Sequence, residues 1–128
     1  VKLLLDTCAF LWFQEDSTQL SPTARAQILD HGNEVYLSAV SVWEIARKYA
    51  QGRITLPSHP STLIPAVRRD SGIASLSLTE TDALAAEKLQ LFHKDPFDRM
   101  LIAQALMSGL AIVTSDSAFD PYPVRVIW

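Results

Sequence analysis

Four carboxylates carry the chemistry this sequence could do. Asp6 closes the first apolar run, Lys2-Leu3-Leu4-Leu5, and Glu44 sits near a helix start. Asp98 lies in Asp95-Pro96-Phe97-Asp98-Arg99-Met100, and Asp116 ends the last apolar run, Ile112-Val113-Thr114-Ser115. Acids at strand ends and helix starts can share one cleft in an open α/β sheet, because ligands there sit beyond the carboxyl ends of the strands. Two such charges 4 Å apart repel by roughly 4 kcal/mol at an effective dielectric of about 20. A cleft that gathers four of them needs a compensating cation, and a hard divalent ion points toward phosphate chemistry. Oxygen ligands, a lone cysteine and no histidine pair at ligand spacing select Mg²⁺ or Mn²⁺ over zinc or copper.

Each acid also has an ordinary role when taken singly. Asp6 can cap the helix that follows it. Glu44 completes a capping box with Ser41 and forms an i,i+4 pair with Lys48, worth a few tenths of a kcal/mol. Asp95 is an N-cap before Pro96, Asp98 is favoured by the helix dipole, and Asp116 is a turn acid. Asp98 stands apart because its helix is apolar almost all round, which desolvates a carboxylate at its mouth. The functional reading gains weight from all four falling at element edges.

The elements that must position these acids alternate along the chain. Strands are expected over 2–5, 34–38, 73–76, 110–114 and 124–127. Helices are expected over 7–13, 22–31 (closed by Gly32), from Ser41 to about Gly52, 61–70, from the Thr79-Glu80-Thr81-Asp82 cap to about Leu91, and 97–108 ended by Gly109. Such alternation implies an α/β fold with a central, mostly parallel sheet covered on both faces. At 128 residues the chain reads as a single domain, 1–128, with no repeat or linker.

Hydrophobic content of 48% beside 20% charged residues is globular, and no apolar stretch is long enough to span a membrane. Asp6 interrupts the N-terminal apolar run, so no signal peptide is expected and the reading is soluble and cytoplasmic. Net charge of −3 argues against holding nucleic acid by bulk electrostatics, although a metal-loaded acidic cleft reverses sign locally. Cys8 is expected to be a small buried hydrophobe. His31, His59 and His93 receive no role. Arg47, Lys48 and Arg53, then Arg68-Arg69, are the basic clusters available to substrate phosphates; Trp12, Phe13, Trp43 and Tyr49 could stack on bases.

Taken together, Leu4-Leu5-Asp6-Thr7, Ser41-Val42-Trp43-Glu44-Ile45, the segment from Asp95 to Ala105, and Val113-Thr114-Ser115-Asp116 with Phe119 resemble the PIN-domain family, and within it the VapC-type toxins of toxin–antitoxin pairs. The resemblance covers essentially the whole chain. It implies a three-layer α/β/α sandwich, a pocket holding Mg²⁺ or Mn²⁺, and endoribonuclease cleavage of RNA. It also implies a homodimer and a cognate antitoxin. Asp6, Glu44, Asp98 and Asp116 match the family's acidic positions as catalytic and metal-binding residues. On this reading Asp6 and Asp98 bind metal directly, Asp116 binds directly or through water, and Glu44 orients or deprotonates the attacking water. Thr7, Thr114, Ser115, Arg47 and Lys48 are the expected substrate contacts. One departure is Arg99, where many relatives carry an apolar residue or alanine. An RNA-processing or DNA-directed nuclease of the same fold, or a degenerate binding module, is the alternative. Receiver domains and haloacid-dehalogenase-like phosphatases are disfavoured, since no lysine follows the late strand and position 8 is cysteine.

Overall fold

Leu3 and Leu5 point to one side of the first strand and Leu4 to the other, and all three are fully buried. A strand with no wet face must be covered twice, and the fold follows from that requirement. The computed structural model describes residues 1–128. Its sheet comprises β1 (Lys2–Leu5), β2 (Glu34–Ser38), β3 (Ile73–Leu76), β4 (Ala111–Val113) and β5 (Val126–Ile127). The strands run in the order β3-β2-β1-β4-β5, and every neighbouring pair is parallel.

Six helices complete the three layers: α1 (Thr7–Gln14), α2 (Pro22–Leu29), α3 (Ala39–Ala50), α4 (Pro60–Ser71), α5 (Glu80–Lys88) and α6 (Pro96–Ser108). Leu3, Leu5, Val35, Leu37 and Val113 pack against Phe10 of α1, Ile28 of α2 and Ile64 of α4. On the opposite face Leu4 and Ile112 pack against Leu101, Ile102 and Ala105 of α6, with Phe119 beside them. α5 lies along α6. α3 crosses between the layers, placing Val40 in the second core and Ile45 in the first. This is the three-layer α/β/α architecture expected from the alternation. None of the helices is long and apolar enough to cross a membrane.

Several boundaries differ from the sequence reading, each for a local reason. α3 begins at Ala39 with Ser38 as its cap, because the Ser38 hydroxyl at the end of β2 accepts from the Val40 N–H at 3.0 Å. Ser41 is therefore inside the helix, fully buried, and makes no capping box with Glu44. α2 ends at Leu29, and Asp30 turns its carboxylate onto the Gly32 N–H at 2.8 Å. α5 stops at Lys88, short of Leu91, because its last carbonyls turn toward the Arg99 guanidinium. The strands β4 and β5 are shorter than expected by one or two residues at their ends.

β1 connects to β2 on one side, while β4 lies on its other side, so the direction of strand addition reverses between β1 and β4. A crevice opens at such a reversal, beyond the carboxyl ends of the strands. The Asp6 N–H donates to the Val113 carbonyl at 3.1 Å and ties the two strand ends together there. Downstream, a 3₁₀ turn over Ser117–Phe119 seats the fully buried Phe119 in the second core. Phe119→Ala should cost about 3–5 kcal/mol in urea denaturation, as buried aromatic truncations do; a loss below about 1 kcal/mol would show that the turn is not anchored by this ring.

Candidate active site

Asp6 is the N-cap of α1. Its Oδ1 accepts from the Ala9 N–H at 2.7 Å and its Oδ2 from the Thr114 hydroxyl at 2.6 Å, with 7% of the residue exposed. Both of its roles, cap and cleft acid, thus coexist in one side chain. Burial pushes its carboxyl from an ordinary 3.8 up to about 6; the two hydrogen bonds oppose that shift, and the negative charges of Asp98 and Asp116 add to it. Asp98 is also raised, by burial first, with its His93 hydrogen bond opposing and the charges of Asp95 and Glu44 adding. Asp6 and Asp116 follow the carboxyl ends of the adjacent strands β1 and β4, Glu44 reaches Asp6's neighbour Thr7, and Asp98 and Asp116 offer oxygens within 4.8 Å of each other.

Glu44 lies one turn into α3 and faces the cleft, with only 15% of its side chain exposed. Its Oε1 accepts from the Thr7 hydroxyl at 2.5 Å and its Oε2 meets Lys48 Nζ at 3.1 Å. Asp116 follows β4, caps the 3₁₀ turn through the Ala118 N–H at 2.9 Å, and donates its own N–H to Thr114 Oγ1 at 3.0 Å. Thr114 therefore accepts from one acid's backbone and donates to the other acid's side chain. Thr7 and Thr114, expected as substrate contacts, are both buried and donate their hydroxyls to Glu44 and Asp6. Ser115 is exposed beside them.

The basic residues divide. Arg47 is exposed with its guanidinium 5.8 Å from the centre of the Phe97 ring, and it lines a small cavity with Glu44, Lys48, Arg53 and Asp95. Arg68 is engaged elsewhere, donating to the Leu37 and Ile73 carbonyls, and Arg69 pairs with Asp70 at 3.7 Å. Of that second cluster, Arg68 braces the ends of β2 and β3 while Arg69 stays exposed. Among the aromatics, Trp12 packs edge-on against Trp128 and Tyr49 against His59, leaving Trp43 exposed.

Two residues stand otherwise than the sequence reading had them. Cys8 is exposed, not a buried hydrophobe, yet its thiol is partly desolvated, and that desolvation first, then the charge of Asp6, raises its pKa. His93 was assigned no role, yet its Nε2 lies 2.7 Å from Asp98 Oδ2. His93, Asp98 and Asp116 each offer a ligand atom, and those atoms all lie within 4.8 Å of one another. The contact spans a loop and the first turn of a helix, so no periodic spacing announces it. The nearness of His93 to the Asp95–Asp98 segment was the one available signal.

Residues 3–124 match the family model described as PIN domain. This chain belongs to the PIN domain family. Ribonuclease VapC22 of Mycobacterium tuberculosis is 30% identical to it over 129 residues, spanning 97% of both chains. In fold, this PIN domain is similar to VapBC2 of Rickettsia felis, solved bound to a promoter DNA fragment, at TM-score 0.72 and 12% identity over 98% of this chain and 97% of that one. DNA-bound VapBC of Salmonella typhimurium gives TM-score 0.68 at 17% identity, covering 98% of this chain and 96% of its own.

The burial of Asp6 has a thermodynamic signature. A carboxyl raised from 3.8 to about 6 favours the fold fully below pH 3.8, and that contribution is lost as pH rises through 6. In metal-free protein at pH 7–8, Asp6→Asn should therefore raise stability, by at most about 3 kcal/mol from the size of the shift. The advantage should vanish near pH 4. Chemical denaturation of both proteins across this range is the check, and an Asp6→Asn protein less stable than the parent at pH 8 contradicts the assignment.

Proposed function

We propose that this PIN domain is a divalent-metal-dependent endoribonuclease, the toxin component of a toxin–antitoxin pair, hydrolysing RNA phosphodiester bonds at the site formed by Asp6, Glu44, Asp98 and Asp116. The observation that carries the reading is geometric: Asp98 and Asp116, with His93, offer ligand atoms within 4.8 Å of one another at the strand crossover where the buried Asp6 is held by Thr114. The name of the Mycobacterium relative supports ribonuclease activity, and the toxin–antitoxin complexes among its fold neighbours support an antitoxin partner.

The donor set fits a hard ion. Asp6, Asp98 and Asp116 offer carboxylate oxygens, with one imidazole, from His93, beside them. Such a set suits Mg²⁺ or Mn²⁺, and Asp6, Asp98 and Asp116 are the residues that would hold it. When bound, the ion supplies Lewis-acid neutralisation of charge at the scissile phosphate.

The chain's own residues do the rest. Glu44, fixed by Thr7 on one oxygen and Lys48 on the other, orients a water and accepts its proton as that water attacks phosphorus. The bond from phosphorus to the leaving ribose oxygen breaks, and that oxygen takes up a proton from solvent. Thr114 keeps Asp6 and the Asp116 backbone in register. Arg47, Lys48 and Ser115 meet the flanking phosphates, and Trp43 offers a face for a base. A second copy of the chain completes a homodimer, and the antitoxin covers this cleft.

Incubation with single-stranded RNA, structured RNA and DNA, each with Mg²⁺, Mn²⁺ or a chelator, is the test. The expected result is metal-dependent cleavage of single-stranded RNA, abolished by Asp98→Asn in a protein that still melts cooperatively. Full activity of Asp98→Asn overturns the site. Cleavage of DNA alone points to a DNA-directed nuclease, and metal binding without cleavage to a binding module.

A further inference from the structure

Arg99 has the densest set of side-chain hydrogen bonds in the chain. Its neighbour Asp98 faces the cleft, while Arg99, one step round α6, faces α5 and the loop over residues 89–95. Nη2 donates to the Ala86 and Leu89 carbonyls, each at 2.9 Å, with a longer contact to Glu87 at 3.5 Å. Nη1 donates to the Gln90 and His93 carbonyls, each at 3.1 Å, and reaches the Tyr122 hydroxyl at 3.3 Å. The guanidinium thus closes the carbonyl end of α5 and gathers the turn that follows it.

Tyr122 completes the arrangement. It is 4% exposed; its hydroxyl donates to the Gln90 carbonyl at 2.7 Å and accepts from the His93 N–H at 3.0 Å. His93 is consequently held by its carbonyl, by its N–H, and by its ring. Arg99 grips the first, Tyr122 the second, and Asp98 meets the third.

We infer that Arg99 is a positioning residue of the acidic cleft: by gathering the carbonyls of Ala86, Leu89, Gln90 and His93 it fixes the loop that carries His93 onto Asp98. A planar fork spreads five N–H donors over three nitrogens and reaches four diverging carbonyls at once, whereas an ammonium has three donors on one atom. An apolar side chain at this position would leave those carbonyls unpaired and the loop free to move. The His93 contact fixes the orientation of the Asp98 carboxylate, and partners of this kind typically change metal affinity or activity by 10–100-fold when removed. The consequence for metal binding rests on the proposed function; the consequence for the loop does not.

The experiment pairs Arg99→Lys with His93→Gln, singly and together. Two readouts are taken: amide hydrogen exchange of residue 93 in metal-free protein, and Mn²⁺ affinity by calorimetry. Arg99→Lys should speed exchange at His93 by about tenfold or more, while the sheet amides stay protected. It should weaken Mn²⁺ binding by about 10-fold or more in the parent and have no further effect in the His93→Gln background. Unchanged exchange at His93 overturns the inference, as does an equal loss of Mn²⁺ affinity in both backgrounds. If the parent binds no Mn²⁺ while Arg99→Lys still releases the His93 amide, the metal site falls and the positioning of the loop stands. Should Arg99→Lys fail to fold, Arg99→Gln, which keeps two N–H donors and removes the charge, carries the same test, with the same pattern expected and the same results overturning it.

Discussion

Asp6 is a carboxylate held where its charge is unwelcome. Burial alone disfavours the ionised form, and Asp98 and Asp116 make it worse. The surrounding structure exists to hold that arrangement despite its cost. Thr114 and the Ala9 N–H supply the hydrogen bonds that keep Asp6 oriented, and the β1–β4 junction fixes the backbone on which Asp6 and Thr114 sit. A buried carboxylate with two further acids near it at a strand crossover is costly when ionised, and shifted acids of this kind concentrate at functional sites.

The scaffold divides the labour by element. Parallel pairing of β1 with β4 brings residues 6 and 114 together across most of the chain's length. α3 delivers Glu44 from the neighbouring strand, where Thr7 and Lys48 take one carboxylate oxygen each. α6 brings Asp98 through a cap, Asp95, and a proline at its first position. Thr7, Thr114 and Lys48 reach the cleft chiefly through acids they bind.

Much of this was legible from residue chemistry. The Asp95-Pro96 start and the Gly109 stop of α6, in the left-handed conformation that favours glycine, are cap signals that tertiary contacts left undisturbed. The same holds for the Thr79–Asp82 capping box and for β2 and β3. Where two caps compete, as Ser38 and Ser41 do, the strand decides: β2 runs straight into the helix, and the serine at its end captures the first free N–H. The end of α5 was illegible because the group that terminates it, Arg99, lies on another helix. His93 was missed for a related reason, since its partner Asp98 is reached across a loop whose shape Arg99 and Tyr122 set. Cys8 was misjudged because an apolar run does not reveal which side of a short helix stays exposed.

The proposed site has Asp6, Asp98 and Asp116 holding one hard cation. Anomalous diffraction from crystals grown with Mn²⁺, collected on the parent and on Asp98→Asn, tests it directly. A strong peak among these three carboxylates is expected in the parent, with its loss or marked weakening in the variant. No peak there at millimolar Mn²⁺, or one that persists undiminished without the Asp98 carboxylate, would contradict it.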